Sequence, residues 1–240
     1  FAAYAFAFVL LAAGVLPQAS AQRLTALILV GAIGGLLLFS YVRLQISLPT
    51  YQTDNAVFSH VAAEQLLNGT NPYTIQDRDL ITNSAERFGL QATFLTHTTD
   101  GTALDNLMSW PAGAILPLAP FLKLGGSDVR WVVVAFEIAA ILLLWLAAPR
   151  ELRPLSVLPL LVDPDLFLQF TGGGVMDFMW VAPMVGAAIA LYRRHFLWSA
   201  LLFGVAAGTK QQTWLLAPFL MLYVWNTDQH QSIRGRLRAC

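Results

Sequence analysis

Long apolar runs govern what this chain can fold into. They fall at about 1–16, 24–42, 129–148, 154–170, 178–192, 196–209 and 211–225, divided mostly by short polar connections. A straight helix needs about 20 apolar residues, rising about 1.5 Å each, to cross a bilayer. Several of these runs are shorter, and short or broken spans are tolerated where protein or a watery cavity covers them. The chain is 57% hydrophobic and 12% charged, against about 25% charged in ordinary soluble domains. We therefore expect an all-α fold, a polytopic membrane helix bundle forming a single partial transmembrane domain over 1–240. A net charge of zero gives no reason to expect nucleic acid, and the single cysteine, Cys240, excludes a disulfide framework or a thiolate metal site. The chain opens at Phe1 inside an apolar run and closes on Arg234-Gly-Arg-Leu-Arg-Ala-Cys240. A truncated span and a loop cut short are expected there, in a fragment of a longer polytopic protein.

Arginine placement sets the expected orientation. Arg23, Arg150, Arg153, Arg193, Arg194, Arg234, Arg236 and Arg238 all sit in short connections or beside span ends, marking the cytoplasmic side. The remaining Lys and Arg residues are spread over longer opposite segments. One alternating assignment satisfies every loop, with residues 43–128, the 171–177 turn and Lys210 on the exterior.

The exterior segment 43–128 is the one sizeable non-spanning region. Residues 55–68 read as an amphipathic helix, with Val57, Phe58, Val61 and Leu66 opposite His60, Glu64 and Gln65. Thr53 or Asp54 can cap its start and Gly69 its end. Residues 74–102 read as a polar, irregular, mobile loop. Trp110-Pro111 through Pro117, Pro120 and Phe121 is apolar but proline-rich, which suits a short interfacial helix or a re-entrant piece.

Asp54 is the leading chemical candidate. It lies just past an apolar span, where a carboxylate is costly unless water, a partner or a substrate meets it. It can serve as a general base toward an acceptor hydroxyl, or as a helix N-cap. Lys210, at the exterior end of a helical hairpin, can hold a lipid phosphate or snorkel at the interface. Gln211 beside it adds donors. Asp177, after Thr171-Gly-Gly-Gly174, can cap the next helix or reach a sugar hydroxyl. Asp163-Pro164-Asp165 can line a cavity or mark a helix stop. His60 and His97 read as surface or helix-face residues, and Asn68-Gly69-Thr70 as a glycosylation sequon or a turn. The other exterior acids, Asp128 among them, read as mostly solvated.

In order along the chain stand a span, Asp54, a helix ending in Gly69-Thr-Asn-Pro72-Tyr73, the Trp110-Pro111 to Phe121 segment, Gly173 to Asp177, and Gly204 to Gln211 leading to Pro218-Phe219. This pattern resembles the GT-C superfamily of integral membrane glycosyltransferases, with the nearest likeness to bacterial polyprenol-phosphate-mannose-dependent mannosyltransferases. It runs through about residues 24–225. The resemblance implies that Asp54 matches the catalytic acid of the first exterior loop. It also implies a polyprenyl-phosphate-linked sugar donor used on the exterior face, with inversion at the anomeric carbon. In that reading Asp54 is catalytic, while Lys210, Gln211, Asp177, His60 and Tyr73 bind substrate. The partners are the lipid-linked donor, a lipid or glycan acceptor and the membrane, and the resemblance implies a multi-pass protein of a bacterial plasma membrane with its active site on the exterior face. No cofactor is certain; a divalent metal stays open, although Asn55 stands where many relatives carry a second acid. Trp110-Pro111-Ala112 replaces the usual Tyr-Pro-Pro. A secondary transporter or lipid flippase is the alternative, since broken spans and intramembrane acids serve those proteins too.

Overall fold

Leucine, alanine and glycine dominate the first helix, α1 (Gln18–Tyr41), which continues through a wider turn at Val42–Ser47. The computed structural model describes residues 18–47, 50–75, 77–90, 110–153, 172 and 174–225. The expected spans 1–16 and 154–170, Asp163-Pro164-Asp165, His97 and residues 91–102 of the expected loop lie outside the described residues. Every regular element among the described residues is helical, and no strand occurs among them.

The described residues of the 43–128 segment build three helices, the first two with local capping at both ends. Helix α2 (Asp54–Leu67) begins where the Thr53 hydroxyl accepts from the Ala56 N–H at 3.4 Å. The capping role therefore belongs to Thr53, with Asp54 in the first turn, where a negative charge complements the helix dipole. At its other end Gly69 adopts φ 77. The Thr70 N–H reaches the Gln65 carbonyl at 2.9 Å and the Gly69 N–H reaches Leu66 at 3.1 Å, so the last carbonyls are satisfied in a Schellman turn. Helix α3 (Arg78–Arg87) starts at Asp77, whose carboxylate accepts from the Asp79 and Leu80 N–H groups at 3.0 Å. It ends at Gly89 in the same way. A short 3-10 turn (Ala112–Ala114) and α4 (Leu118–Lys123) follow.

Helix α5 (Arg130–Ala147) returns through the apolar region. After a 3-10 turn at Met176–Trp180 come α6 (Val181–Tyr192), α7 (Phe196–Thr209) and a 3-10 turn at Gln211–Leu216 that runs on as helix over 217–225. Helices α6 and α7 form a tight hairpin. Gly186 leaves room for Leu202 and Leu143, and the Ser199 hydroxyl donates to the Ala187 carbonyl at 2.9 Å. By length and composition, Thr25–Ile46 and Arg130–Ala147 are long and apolar enough to cross a membrane; α6 and α7 are shorter apolar helices.

Two expectations need correction. Helix α2 is not half-polar: residues Ala56 to Ala63 are all buried, His60 included. Its apolar side meets Leu118 of α4, Val133 of α5 and Met179, while α3 brings Ile81 and Ala85 into the same core. Tyr51 and Phe88 close over the side that carries His60. Nor is the segment from residue 74 irregular throughout, since the Asp77 cap and the i, i+4 pair Ile81 and Ala85 make α3 a helix with one buried face.

Close backbone contact joins α7 to the Trp110-Pro111 segment. A Cβ on Gly113 would run into the Gly208 carbonyl and lie 2.9 Å from the Thr209 nitrogen. Gly113→Ala should therefore cost about 1–3 kcal/mol of stability through overpacking. Gly204→Ala, with nothing within 4 Å of the added methyl, should be neutral or stabilising by up to about 1 kcal/mol. Thermal unfolding of the two variants beside the parent protein checks the contrast.

Candidate functional site

Arg130, the first residue of α5, is fully buried. A buried charge is tolerable only when paired and hydrogen-bonded, and the guanidinium offers five N–H donors in a rigid fork. All five find acceptors here. Nε donates to Asp128 Oδ1 at 2.9 Å, and Nη2 to Asp128 Oδ2 at 2.7 Å and the Leu44 carbonyl at 3.3 Å. Nη1 donates to the carbonyls of Thr50 at 3.2 Å and Gly172 at 3.1 Å. One side chain thus ties the end of α1, the approach to α2, the glycine turn and the head of α5.

The glycine turn lies on the first turn of α2. Gly174 adopts φ 85, and a Cβ there would strike the Ala56 methyl. The Met176 N–H donates to Asn55 Oδ1 at 3.3 Å. Half-buried Asp54 and the 3-10 turn that contains Asp177 are therefore neighbours in space, although far apart in sequence. That turn also packs against α5, α6 and α7. Lys210 ends α7 with its N–H on the Ala206 carbonyl at 3.0 Å, and its own carbonyl accepts from the Thr213 hydroxyl at 2.7 Å. Gln211 is exposed and opens the next turn. Tyr73 is partly exposed, and its hydroxyl donates to the Trp110 carbonyl at 2.5 Å, pinning the Trp-Pro segment whose Gly113 abuts Gly208. The structure thus joins the first turn of α2 to the turn that contains Asp177, and Tyr73 to the segment that abuts Gly208 and Thr209.

His60 is 3% exposed, a correction to its expected place on a polar helix face. Its contacts specify where the protons sit. The Val129 N–H donates to Tyr51 Oη at 3.0 Å, and Tyr51 Oη lies 2.7 Å from His60 Nδ1. On the other side His60 Nε2 lies 3.4 Å from Glu64 Oε1. Every group is satisfied when the Tyr51 hydroxyl donates to Nδ1 and a neutral imidazole carries its proton on Nε2. Glu64 also accepts two bonds from Arg87, both at 2.8 Å. Burial lowers the His60 pKa, with the Glu64 charge opposing and Arg87 assisting. Burial alone would raise Glu64, but the Arg87 bonds and His60 outweigh it and hold its carboxyl below the usual range. Burial, with the Asp128 charge, pushes the Tyr51 phenol far above its ordinary value.

Sequence reasoning missed three of these residues. Arg130 stands at the head of an apolar run, two residues after Asp128, and that pairing was the available signal. Asp128 is salt-bridged with its side chain only 12% exposed, not solvated. Glu137 is buried within α5, an ionisable residue inside a membrane-length helix and so a functional candidate by default. Among the described residues no three His, Cys, Asp or Glu side chains group as metal ligands. Comparisons with protein-family models, curated proteins and solved structures return no match for this chain.

Two measurements test this geometry. Arg130→Met strips the cation from part-buried Asp128 and the donors from the Leu44, Thr50 and Gly172 carbonyls, so unfolding free energy should drop by about 3–5 kcal/mol in denaturant titration. His60 has a folded pKa below its unfolded value of about 6.5, so the unfolded chain takes up the proton first. Stability should then be full above pH 7 and fall by up to about 1.4 kcal/mol per pH unit as pH drops below about 6.5. The Glu64 contribution is lost only below the ordinary carboxylate range, so the interval between pH 6.5 and 5 belongs to His60. Thermal melts at pH 7.5 and 5.5 should differ for the parent protein and much less for His60→Gln.

Proposed function

We propose that this chain belongs to an exterior-facing membrane glycosyltransferase of the GT-C type, moving a hexose, mannose by preference, from a polyprenyl-phosphate donor to an acceptor hydroxyl. The observation that carries the reading is the meeting of distant segments at one end of the helices. Asn55 beside Asp54 holds Met176 beside Asp177, and Gly113 meets Gly208 near Lys210. The polytopic arrangement draws support from the apolar surface left uncovered by the described residues, including Leu27, Val30 and Leu38 on α1 and Phe219, Met221 and Trp225 beyond α7. Apolar faces of that extent suit a lipid surround. An apolar cavity of about 590 Å³ runs along α7 away from Lys210, between Phe203, Leu220, Val224 and Trp225, and suits a polyprenyl tail.

In this mechanism the Asp54 carboxylate takes the proton of the acceptor hydroxyl as that oxygen attacks the anomeric carbon. The bond from that carbon to the phosphate oxygen breaks, and the electron pair leaves with the polyprenyl phosphate. Attack opposite the leaving group inverts the anomeric centre. Lys210 offsets the charge growing on the phosphate, the kind of fixed electrostatic stabilisation that contributes most in a dry site. Asp177 and Gln211 orient sugar hydroxyls, and Tyr73 sets the Trp110 wall. His60, buried against Tyr51 and Phe88, positions the approach to α2 through Tyr51.

One observation favours the transporter or flippase alternative: Glu137, a buried acid inside α5. The two readings part on Asp54. Because Thr53 caps α2, Asp54→Asn should leave unfolding within about 1 kcal/mol of the parent protein. It should lower transfer about 10²–10⁴-fold when membranes receive labelled polyprenyl-phosphate mannose, glucose or arabinose. Near-normal turnover in the Asn variant would sink the base assignment.

A further inference from the structure

A polar cavity of about 410 Å³ opens where the end of α1, the C-terminus of α3 and the approach to α5 meet. Gln45, Thr50, Glu86 and Ser127 stand around it, and all four are exposed. Tyr51, Phe88 and Asp128 line it more deeply, with Arg87 beside them. It is separate from the contact between Asp54's helix and the glycine turn, and Arg130 reaches both: its Nη1 bonds Thr50 on the cavity side and Gly172 on the other.

The lining narrows what the cavity can hold. Asp128 is already engaged by the Arg130 fork, and Arg87 by both oxygens of Glu64. Neither is a ready counter-ion for a strongly charged ligand. The Tyr51 ring stacks on Phe88 with centroids 4.9 Å apart, and the guanidinium of Arg130 lies 5.2 Å from its centre. Phe88 in turn has the Arg87 guanidinium 4.7 Å from its centre. No open aromatic platform is left for a flat apolar ligand. What remains is the Gln45 amide, the Ser127 hydroxyl, the Glu86 carboxylate and the Thr50 hydroxyl, which accepts from Gln52 Nε2 at 3.2 Å and keeps its own proton to donate. A carboxylate can accept from two adjacent hydroxyls of one molecule, while the amide and the hydroxyls both donate and accept. That set matches neutral, hydroxyl-rich molecules.

We infer that this cavity is a carbohydrate-binding subsite, in which Glu86 takes a pair of vicinal hydroxyls and Gln45, Thr50 and Ser127 take the others. The site stands on its own geometry. Its place in catalysis, as the seat of a saccharide acceptor beside the Asp54 centre, rests on the glycosyltransferase reading.

Saturation-transfer NMR on the full chain in nanodiscs, with methyl α-mannoside, methyl α-glucoside and mannobiose as probes, tests it. At least one sugar should give a saturable signal that inorganic phosphate does not compete away. Glu86→Ala and Ser127→Tyr should each weaken it about tenfold or more, by removing a charged acceptor and by filling the space. Because both side chains are solvent-exposed, far-UV circular dichroism and thermal melts should match the parent protein and certify the fold. Absence of a signal with every sugar overturns the inference, as does a signal that both variants leave unchanged. Asp54→Asn should keep the sugar signal. Loss of transfer with binding intact therefore separates the two claims, and sugar binding in a parent protein that transfers nothing would reject the transferase reading alone.

Discussion

A single buried cation holds one end of this structure together. Without its acceptors, the Arg130 guanidinium would be prohibitively costly at 0% exposure. Those acceptors come from four separate stretches of chain, so satisfying the charge obliges the end of α1, the lead into α2, the glycine turn and Asp128 to arrive at one point. Hydrophobic packing around α2 supplies bulk stability, but apolar contact is non-directional. The register of the loops is set instead by hydrogen bonds whose loss would strand a charge.

Two consequences follow from that placement. Once Thr50 is fixed, Tyr51 swings beneath α3, and its hydroxyl bridges the Val129 N–H to His60. A continuous chain then runs from the head of α5 through Tyr51, His60 and Glu64 to Arg87, fixing α2 and α3 against α5. Once Gly172 is fixed, Gly174 lies against Ala56 and the Met176 N–H meets Asn55. Asp54 sits at this junction, on a helix start capped by its neighbour Thr53. The same cation thereby supports both the proposed catalytic acid and the polar cavity beside it.

Much of the helical framework was legible from local signals. The runs at 24–42, 129–148, 178–192, 196–209 and 211–225 correspond to α1, α5, α6, α7 and the helix beyond them, because apolar length and turn residues are written in adjacent positions. Gly69 was readable as a stop, and Thr53 as a possible cap. Less legible were features that depend on partners distant in sequence. His60 looked polar-facing because helical periodicity does not reveal that Tyr51 and Phe88 cover that side. Helix α3 looked irregular because its composition is polar and its apolar positions, Ile81 and Ala85, form only a narrow stripe. Asp128 looked like any loop acid until Arg130, Leu44, Thr50 and Gly172 came together. At the candidate site, Asp54 and Asp177 were named for separate reasons, and only the fold brings the first turn of α2 to the turn that contains Asp177.

The central claim is that Asp54 works at a site where a sugar leaves a lipid phosphate with inversion. The most direct measurement is the anomeric configuration of the product, read by NMR after the full chain in membranes acts on a β-linked polyprenyl-phosphate mannose with acceptor lipids. The account predicts an α-linked product. A β-linked product, or no transfer of any polyprenyl-phosphate sugar, would contradict it.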